Sequence, residues 1–181
     1  MGFHIHARVA ALVVVSALFL ASASAVALPR KLSQDNLITK LCGKTNYVSL
    51  CVSSVTENIK GQQTGAAVLT AEIDAAVKST KVALTKATTL YKSASKQEKG
   101  ILSTCRENYG YAIDKAADAK AAIAAHDAAS LNIHLSSIIA YVGTCQDSYD
   151  DFSLVSPLEK VDALTSHLGS NCLKIASHIV L

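Results

Sequence analysis

The residues of this chain best suited to chemistry are its cysteines. They are Cys42, Cys51, Cys105, Cys145 and Cys172. Thiols bind zinc or form disulfides, but the sequence contains no C-x-x-C pair and the five positions match no recognised zinc-ligand spacing. Disulfides are the expected chemistry if the compartment is oxidising, and an odd number of cysteines leaves one thiol over.

The other polar residues form no catalytic motif. G-x-S-x-G, H-E-x-x-H, a P-loop and G-x-G-x-x-G are absent from the sequence. The acidic pair Asp150-Asp151 would serve glycoside chemistry only in a cleft that raises one carboxyl pKa. The histidines after residue 27 are expected on the solvated surface; they are His126, His134, His167 and His178. We therefore expect no enzyme activity, no catalytic residue, no metal site and no cofactor.

The first 27 residues have the three-part pattern of a secretory signal peptide. Met1–Arg8 is basic, residues 9–20 form an apolar run, and small residues lead to a small-x-small cleavage site at Ala25-Val26-Ala27, with Ala23 and Ala25 as alternative cleavage positions. The apolar run is shorter than the ~20 residues that a membrane span requires, and no other segment is expected to be apolar enough to span. The sequence therefore predicts a signal peptide over residues 1–27 and an oxidising environment for the secreted chain.

The secreted part, residues 28–181, is predicted to form a single domain. Removing the leader takes away one of 17 basic residues and none of the 14 acidic ones, which leaves a net charge of +2. That charge is too small to indicate a nucleic-acid partner. Trp is absent, Pro occurs only at 29 and 157, and Ala, Ser, Thr, Lys and Leu dominate. This composition favours long helices.

Apolar residues recur at steps of three and four along four segments, which predicts four amphipathic helices. Three of them cover about residues 66–95, 101–125 and 131–149, with a turn expected at 95–100. The fourth is expected to begin at a capping box, Ser156-Pro157-Leu158-Glu159, and to run to the end of the chain with Leu164 turned inward. Short connections predict antiparallel neighbours and an up-down-up-down four-helix bundle over about 66–180.

Two shorter helical segments, residues 33–42 and 47–60, precede the bundle as an N-terminal hairpin over about 33–60. A continuous helix would hold Cys42 and Cys51 ~13 Å apart, whereas a disulfide needs Cα atoms within ~7 Å. These two thiols can pair only if the chain reverses at Gly43–Asn46. Cys105 and Cys145 lie on the inward stripes of adjacent antiparallel helices and can also meet. Cys172 is also inward, as a buried apolar thiol or as a dimerising one.

The chain resembles the plant invertase and pectin methylesterase inhibitor domain family. The resemblance rests on a leader, a cysteine pair nine positions apart in an N-terminal elbow and a second pair forty positions apart. Three stretches also resemble the family: CRENYGYAIDKAADAKAAI from Cys105, a T-C-x-D segment ending at Tyr149, and a closing helix that starts with SPLEK. Coverage extends over about residues 33–180. The resemblance implies that the first pair closes a hairpin, the second staples the bundle, and Cys172 is free.

The resemblance implies a secreted, monomeric inhibitor in the plant apoplast or cell wall. Such an inhibitor binds one enzyme molecule, covers its substrate cleft and performs no covalent chemistry. The target is expected to be pectin methylesterase, with acid invertase as the alternative. Tobacco-type invertase inhibitors carry Pro-Lys-Phe before the helix of the fourth cysteine, where this chain has Ala-His-Asp-Ala-Ala at Ala125–Ala129. Since no esterase sequence follows Leu181, we expect a free-standing module, which does not contact a membrane after the leader is removed.

A partner-binding surface is predicted on the outward side of the first two long helices. Short Thr and Asp side chains are frequent there, and they lose little rotamer entropy when a partner orders them. A face that carries carboxylates would also suit a basic cleft rim. The predicted contact residues are Thr70, Asp74, Lys78, Thr85, Glu107, Asp114 and Asp118.

Overall fold

The computed structural model describes residues 37–181, so the predicted signal peptide and residues 28–36 lie outside the described part of the chain. This part is helical, and no β-strand occurs within it. The helices are α1 (37–42), α2 (Val48–Asn58), α3 (Gly65–Tyr91), α4 (Lys96–Ala124), α5 (Ala128–Asp150) and α6 (Glu159–Ala176).

Helices α3 to α6 form a closed four-helix ring. Helix α3 packs against α4 and α6, and α5 packs against the same two helices from the other side. Because consecutive helices are joined by short connections, neighbours run antiparallel. The core consists of apolar side chains at helical spacing, among them Leu69, Ile73, Leu102, Leu131, Leu135, Ile138 and Ile175. The prediction of an all-α, disulfide-stapled four-helix bundle is confirmed.

Side-chain caps set the starts of the first three bundle helices. The Thr64 hydroxyl accepts a hydrogen bond from the Ala67 N–H, and the Asp127 carboxylate accepts one from Ser130. Helix α4 begins with a capping box in which Ser95 and Glu98 each bond the other's backbone N–H. The expected turn at 95–100 is therefore wrong, since the box lets the helix start at Lys96.

The capping box expected at the start of the last helix is also wrong. The Ser156 hydroxyl accepts from the Leu158 N–H at 3.1 Å, and α6 begins only at Glu159. The Leu158 side chain is fully buried. The start of the helix is therefore set by the packing of Leu158 in the core and not by a side-chain cap. Leu164, which was expected inward, is 40% exposed.

Two disulfides are present. The hairpin of α1 and α2 reverses at residues 43–47 and is closed by Cys42–Cys51, with Cα atoms 5.5 Å apart. Cys105 of α4 and Cys145 of α5 form the second, with Cα atoms 4.5 Å apart. Cys172 is a buried free thiol on α6. Helix α2 packs against α3 and α6, so the hairpin rests on one side of the bundle.

Within residues 37–181, α5 is long and apolar enough, by length and composition, to cross a membrane, with a mean hydropathy of 1.2 in its most apolar window. The expectation that no segment after the leader reaches this level is wrong. Its inner side supplies a stripe of the core, while Ile133 on its outer side is 64% exposed. The stripe consists of Leu131, Leu135, Ile138, Val142, Cys145 and Tyr149. Core helices of bundles meet the same test of length and composition.

Candidate functional site

The structure divides the predicted contact residues between the two flanks of α4. On one flank, Asp74 of α3 accepts from Lys120 of α4, with an Nζ–Oδ1 distance of 2.9 Å. On the other flank, the Asp118 carboxylate lies 3.8 Å from His134 of α5. Asp114 is exposed on α4. The predicted residues therefore belong to two separate surfaces.

The surface between α4 and α5 has two tyrosines at its centre. The rings of Tyr111 and Tyr141 lie with centroids 5.4 Å apart and planes tilted by 45°. Tyr111 is 45% exposed, and its hydroxyl donates to Glu107 at 2.9 Å. We call the surface formed by Glu107, Tyr111, Asp114, Lys115, Asp118 and Tyr141 the tyrosine patch. Tyrosines are frequent anchors in protein interfaces because they combine a large apolar ring with a polar tip.

The charges of the tyrosine patch are held in place by neighbours on the same helix. Lys115 donates to the Asp118 carboxylate at 2.7 Å, and this hydrogen bond lowers the pKa of Asp118. The Glu107 carboxylate accepts from Tyr111 and raises the pKa of that phenol. The patch therefore presents acidic side chains beside an aromatic pair. Sequence reasoning missed both tyrosines, although Tyr111 follows Glu107 by one helical turn.

The surface between α2, α3 and α4 is a basic depression with a volume of about 360 Å³. We call it the lysine groove. It is lined by Glu57, Asn58, Ile59, Lys60, Asp74, Val77, Lys78, Lys81 and Lys120. Two of the predicted contact residues, Asp74 and Lys78, lie in this groove. Thr70 is half-buried, and the exposed Thr85 bonds its hydroxyl to the Lys81 carbonyl of its own helix.

A buried carboxyl joins the hairpin to the bundle. Glu72 of α3 is fully buried and accepts hydrogen bonds from the Ser54 hydroxyl of α2 and from the Asn171 amide of α6, the latter at 3.0 Å. Burial raises the pKa of Glu72 to about 7, although both hydrogen bonds act to lower it. Near neutral pH this carboxyl therefore exchanges between a neutral and a charged form inside the protein.

The hairpin turn is attached to α6 through polar and aromatic contacts. The Asn171 side chain accepts from the Tyr47 N–H and donates to the Tyr47 carbonyl, both at 3.2 Å. The Tyr47 ring stacks on His167 with centroids 3.8 Å apart, so this histidine is not simply solvated. Asn46 adds a bond to Ser170 at 3.4 Å. These contacts fix the angle between hairpin and bundle.

A second buried carboxyl lies inside the bundle, beside the disulfide of α4 and α5. The Tyr109 hydroxyl donates to Asp162 of α6 at 2.6 Å and lies 3.1 Å from the Cys145 sulfur. Burial raises the pKa of Asp162 to about 6, and burial also raises the pKa of Tyr109. The pair links α4 to α6 across the core. Among residues 37–181, no group of three or more His, Cys, Asp and Glu side chains could hold a metal ion.

The chain is similar to known proteins both in family and in sequence. A family model described as plant invertase/pectin methylesterase inhibitor matches residues 36–175. A pectinesterase inhibitor from Actinidia deliciosa is 32% identical over 130 residues, which are 67% of each chain.

Two solved structures share the fold. A mutant form of a pectin methylesterase inhibitor from Arabidopsis superposes with a TM-score of 0.66 at 19% identity, covering 78% of this chain and 96% of that one. A pectin methylesterase inhibitor from Arabidopsis thaliana superposes with a TM-score of 0.59 at 18% identity, covering 81% and 97%.

Proposed function

The chain belongs to the plant invertase/pectin methylesterase inhibitor family, and from this premise we propose that it inhibits a pectin methylesterase by binding it one-to-one and covering its substrate cleft. The observation that carries the proposal is the 32% identity to a pectinesterase inhibitor over 67% of both chains. In this proposal the chain is a secreted, monomeric and non-catalytic protein of the plant cell wall.

We place the contact with the enzyme on the tyrosine patch. The patch combines one exposed and one half-buried aromatic ring with carboxylates, and it lies on two adjacent helices that a disulfide joins. Side chains on such a rigid support lose little further freedom on binding, which lowers the entropic cost of association. Inhibition then follows from occlusion, because a bundle seated across a shallow cleft excludes the polymeric substrate without any chemical step.

The carboxylates of the patch give the proposal an electrostatic signature. Asp118 has a lowered pKa, so it stays ionised in mildly acidic solution. A basic rim on the enzyme would be attracted to Glu107, Asp114 and Asp118, and added salt would weaken that attraction. We therefore expect inhibition to decrease as ionic strength rises.

Acid invertase is the alternative target within the same family. Invertase inhibitors similar to the tobacco type carry Pro-Lys-Phe in the connection before the helix of the fourth cysteine. Here the corresponding connection ends at Asp127, which caps α5, and His126 adopts a left-handed backbone with φ of 55°. No lysine or large aromatic side chain projects from Ala125–Ala129 toward an active site. This favours the methylesterase.

The test is an inhibition assay of the purified secreted chain against one pectin methylesterase and one cell-wall acid invertase. We expect inhibition of the methylesterase. Inhibition of the invertase alone would replace the proposed target by the alternative, and inhibition of neither enzyme would overturn the proposal.

A pair of charge reversals tests the surface. Asp114→Lys with Asp118→Lys is expected to weaken methylesterase inhibition at least tenfold, about 1.4 kcal/mol, while the melting temperature stays near that of the parent. Asp151→Lys with Glu159→Lys, at exposed positions just after α5 and at the first residue of α6, is the matched control and should change inhibition by less than twofold. Undiminished inhibition by the first variant would move the interface elsewhere on the bundle.

A further inference from the structure

The lysine groove collects positive charge from three separate elements. Lys60 follows α2, Lys78 and Lys81 lie on α3, and Lys120 lies on α4. Two acidic side chains, Glu57 and Asp74, also line it, so the groove carries two positive charges in excess. The whole secreted chain has a net charge of +2. The charged residues of the secreted chain outside the groove therefore sum to zero net charge.

The lysines of the groove differ in whether they have a partner. Lys120 pairs with Asp74, and Lys78 donates to the Asn58 side-chain oxygen. The ion pairs formed among residues 37–181 do not include Lys60 or Lys81, both of which are exposed. Lys78 is positioned, because Asn58 is itself buried and donates to the Ser54 carbonyl. Two positioned and two unpaired ammonium groups therefore surround one space.

The groove also has an apolar component. Val77 and Ile59 line it between the lysines, and both pack against the core of the protein. Sites for small organic ligands are usually more apolar than this groove, in which seven of the nine lining residues are charged or polar. Sugar rings have apolar C–H faces and a polar edge, and a uronic acid adds a carboxylate to that edge. The volume of about 360 Å³ is in the range of such sites.

We propose that the lysine groove binds a pectin chain at uronic acid residues whose carboxylates are free. Hydrolysis of a methyl ester releases one carboxylate per residue, so the product of a methylesterase is a polyanion, whereas its fully esterified substrate is neutral. Ammonium groups would form charge-assisted hydrogen bonds with that product and not with the substrate. The biological meaning of the site rests on the proposed function, since it would place the inhibitor on wall polymer that a methylesterase has already processed.

Each exposed ammonium–carboxylate pair is weak by itself. A polymer presents carboxylates in series, so several lysines can bind to one chain and their contributions combine. Binding of this kind should be strong at low ionic strength and should decrease steeply as salt is added.

The test measures direct binding of defined-length oligogalacturonides to the secreted chain by isothermal titration calorimetry, with no enzyme present. We expect the free-acid oligomer to bind at least tenfold more tightly than the same oligomer in its methyl-esterified form, about 1.4 kcal/mol. Equal binding of both forms would overturn the proposal, and so would the absence of binding. A poly-L-glutamate of the same length binding as tightly as the free-acid oligomer would likewise overturn it, because the groove would then recognise charge alone.

A charge-matched pair of variants locates the site. Lys60→Gln with Lys81→Gln should weaken binding of the free-acid oligomer at least tenfold. Lys160→Gln with Lys174→Gln removes the same charge from exposed positions on α6 and should weaken it less than twofold. Equal weakening by both pairs would show a general effect of net charge and overturn the groove assignment. Melting temperatures of both variants are the folding control.

The binding experiment separates this inference from the proposed function. Tight binding of the free-acid oligomer by a chain that inhibits no methylesterase would support the groove and overturn the proposed function. Inhibition of a methylesterase by a chain that does not bind the oligomer would do the reverse.

Discussion

The hairpin and the bundle are stabilised in different ways. The bundle helices α3, α4 and α5 each begin with a side-chain cap, whereas α2 begins after Tyr47 without one. Helices of the bundle meet through apolar stripes. The hairpin also contributes Val55 and Cys51 to the core, but its position is set by hydrogen bonds to Glu72 and Asn171.

Because of this difference, the stability of each region should depend on different conditions. Apolar packing changes little with pH, since no ionisable group is involved. A hydrogen bond to a buried carboxyl depends on whether that carboxyl is charged. We therefore expect the apolar stripes of the bundle to respond to changes of volume. The hairpin contacts, and the Tyr109–Asp162 pair inside the bundle, should respond to protonation and to the loss of polar partners.

The largest expected effects come from removing the disulfides. The chain-entropy relation gives about 4 kcal/mol for the 40-residue separation of Cys105 and Cys145 and about 3 kcal/mol for the nine-residue separation of Cys42 and Cys51. Double Ser variants of each pair, measured by chemical unfolding, should follow this order. Loss of the hairpin disulfide should also lower the yield of inhibitory protein. A hairpin variant with unchanged stability and full inhibition would contradict the stabilising role assigned to this disulfide.

The pH dependence of stability should come from two buried carboxyls, with the slightly larger share from Glu72. Its pKa is about 7 in the folded chain and 4.5 as the ordinary value. Because the folded pKa is the higher one, its contribution is complete below pH 4.5 and is lost as pH rises to about 7. The loss corresponds to about 3 kcal/mol. Unfolding free energies measured across this window should decrease toward neutral pH.

The variant Glu72→Gln should remove most of the slope between about pH 6 and about pH 7, where Asp162 contributes little. Its amide stays neutral while it can still contact Ser54 and Asn171. Asp162→Asn is the comparison variant. Asp162 has a folded pKa of about 6 against an ordinary value of 3.8, so its share of the loss ends at lower pH. Identical pH slopes in the parent and in Glu72→Gln would contradict the role assigned to this carboxyl.

Two glycines of the bundle are expected to respond to alanine with opposite signs. A Cβ at Gly169 of α6 would lie 2.6 Å from the Ile139 side chain of α5, whereas a Cβ at Gly143 of α5 would meet no atom within 4 Å. Gly169→Ala should lower the unfolding free energy by about 1–3 kcal/mol through overpacking. Gly143→Ala should raise it by up to about 1 kcal/mol through helix propensity. Thermal unfolding of both variants at one pH provides the measurement, and equal signs would contradict the close α5–α6 approach.

The smallest expected effect concerns the cap of α4. Ser95→Ala removes the acceptor for the Glu98 N–H and should cost about 1 kcal/mol. Ser103→Ala, at an exposed position inside the same helix, is the control and should be neutral or slightly stabilising. If both variants unfolded alike, α4 would not depend on its capping box.

Hydrophobic periodicity was sufficient to predict the bundle, because each long helix repeats its apolar residues over many turns. Helix starts were predicted less well, although the signals were similar in form. Both Ser95 and Ser156 precede a Glu by three residues, but only Ser95 forms a capping box. At Ser156, Leu158 is buried in the core, and its position delays the start of the helix. Tertiary packing outweighs the local motif there.

The polar contacts of the hairpin could not be predicted from local sequence. Glu72 looks like an ordinary surface residue of a helix, and its partners Ser54 and Asn171 lie 18 and 99 positions away. Its burial arises because α2 and α6 both pack against the same side of α3. The ring contact of Tyr111 with Tyr141 likewise depends on how α4 and α5 align along their length. The predicted contact residues therefore lie on two separate surfaces because of how the helices pack, and local sequence does not show this packing.

The free thiol gives the folded chain a reporter of its own opening. Cys172 is fully buried, and burial, with the nearby Glu72 charge as a second cause, raises the pKa of its thiol well above the ordinary value. The thiolate is the form that attacks thiol reagents, and here it is scarce and shielded from solvent. A colorimetric titration should thus count no thiol in the native protein and one per chain in denaturant. At denaturant concentrations below the unfolding transition, the slow rate at which Cys172 is labelled measures how often α6 separates from its neighbours.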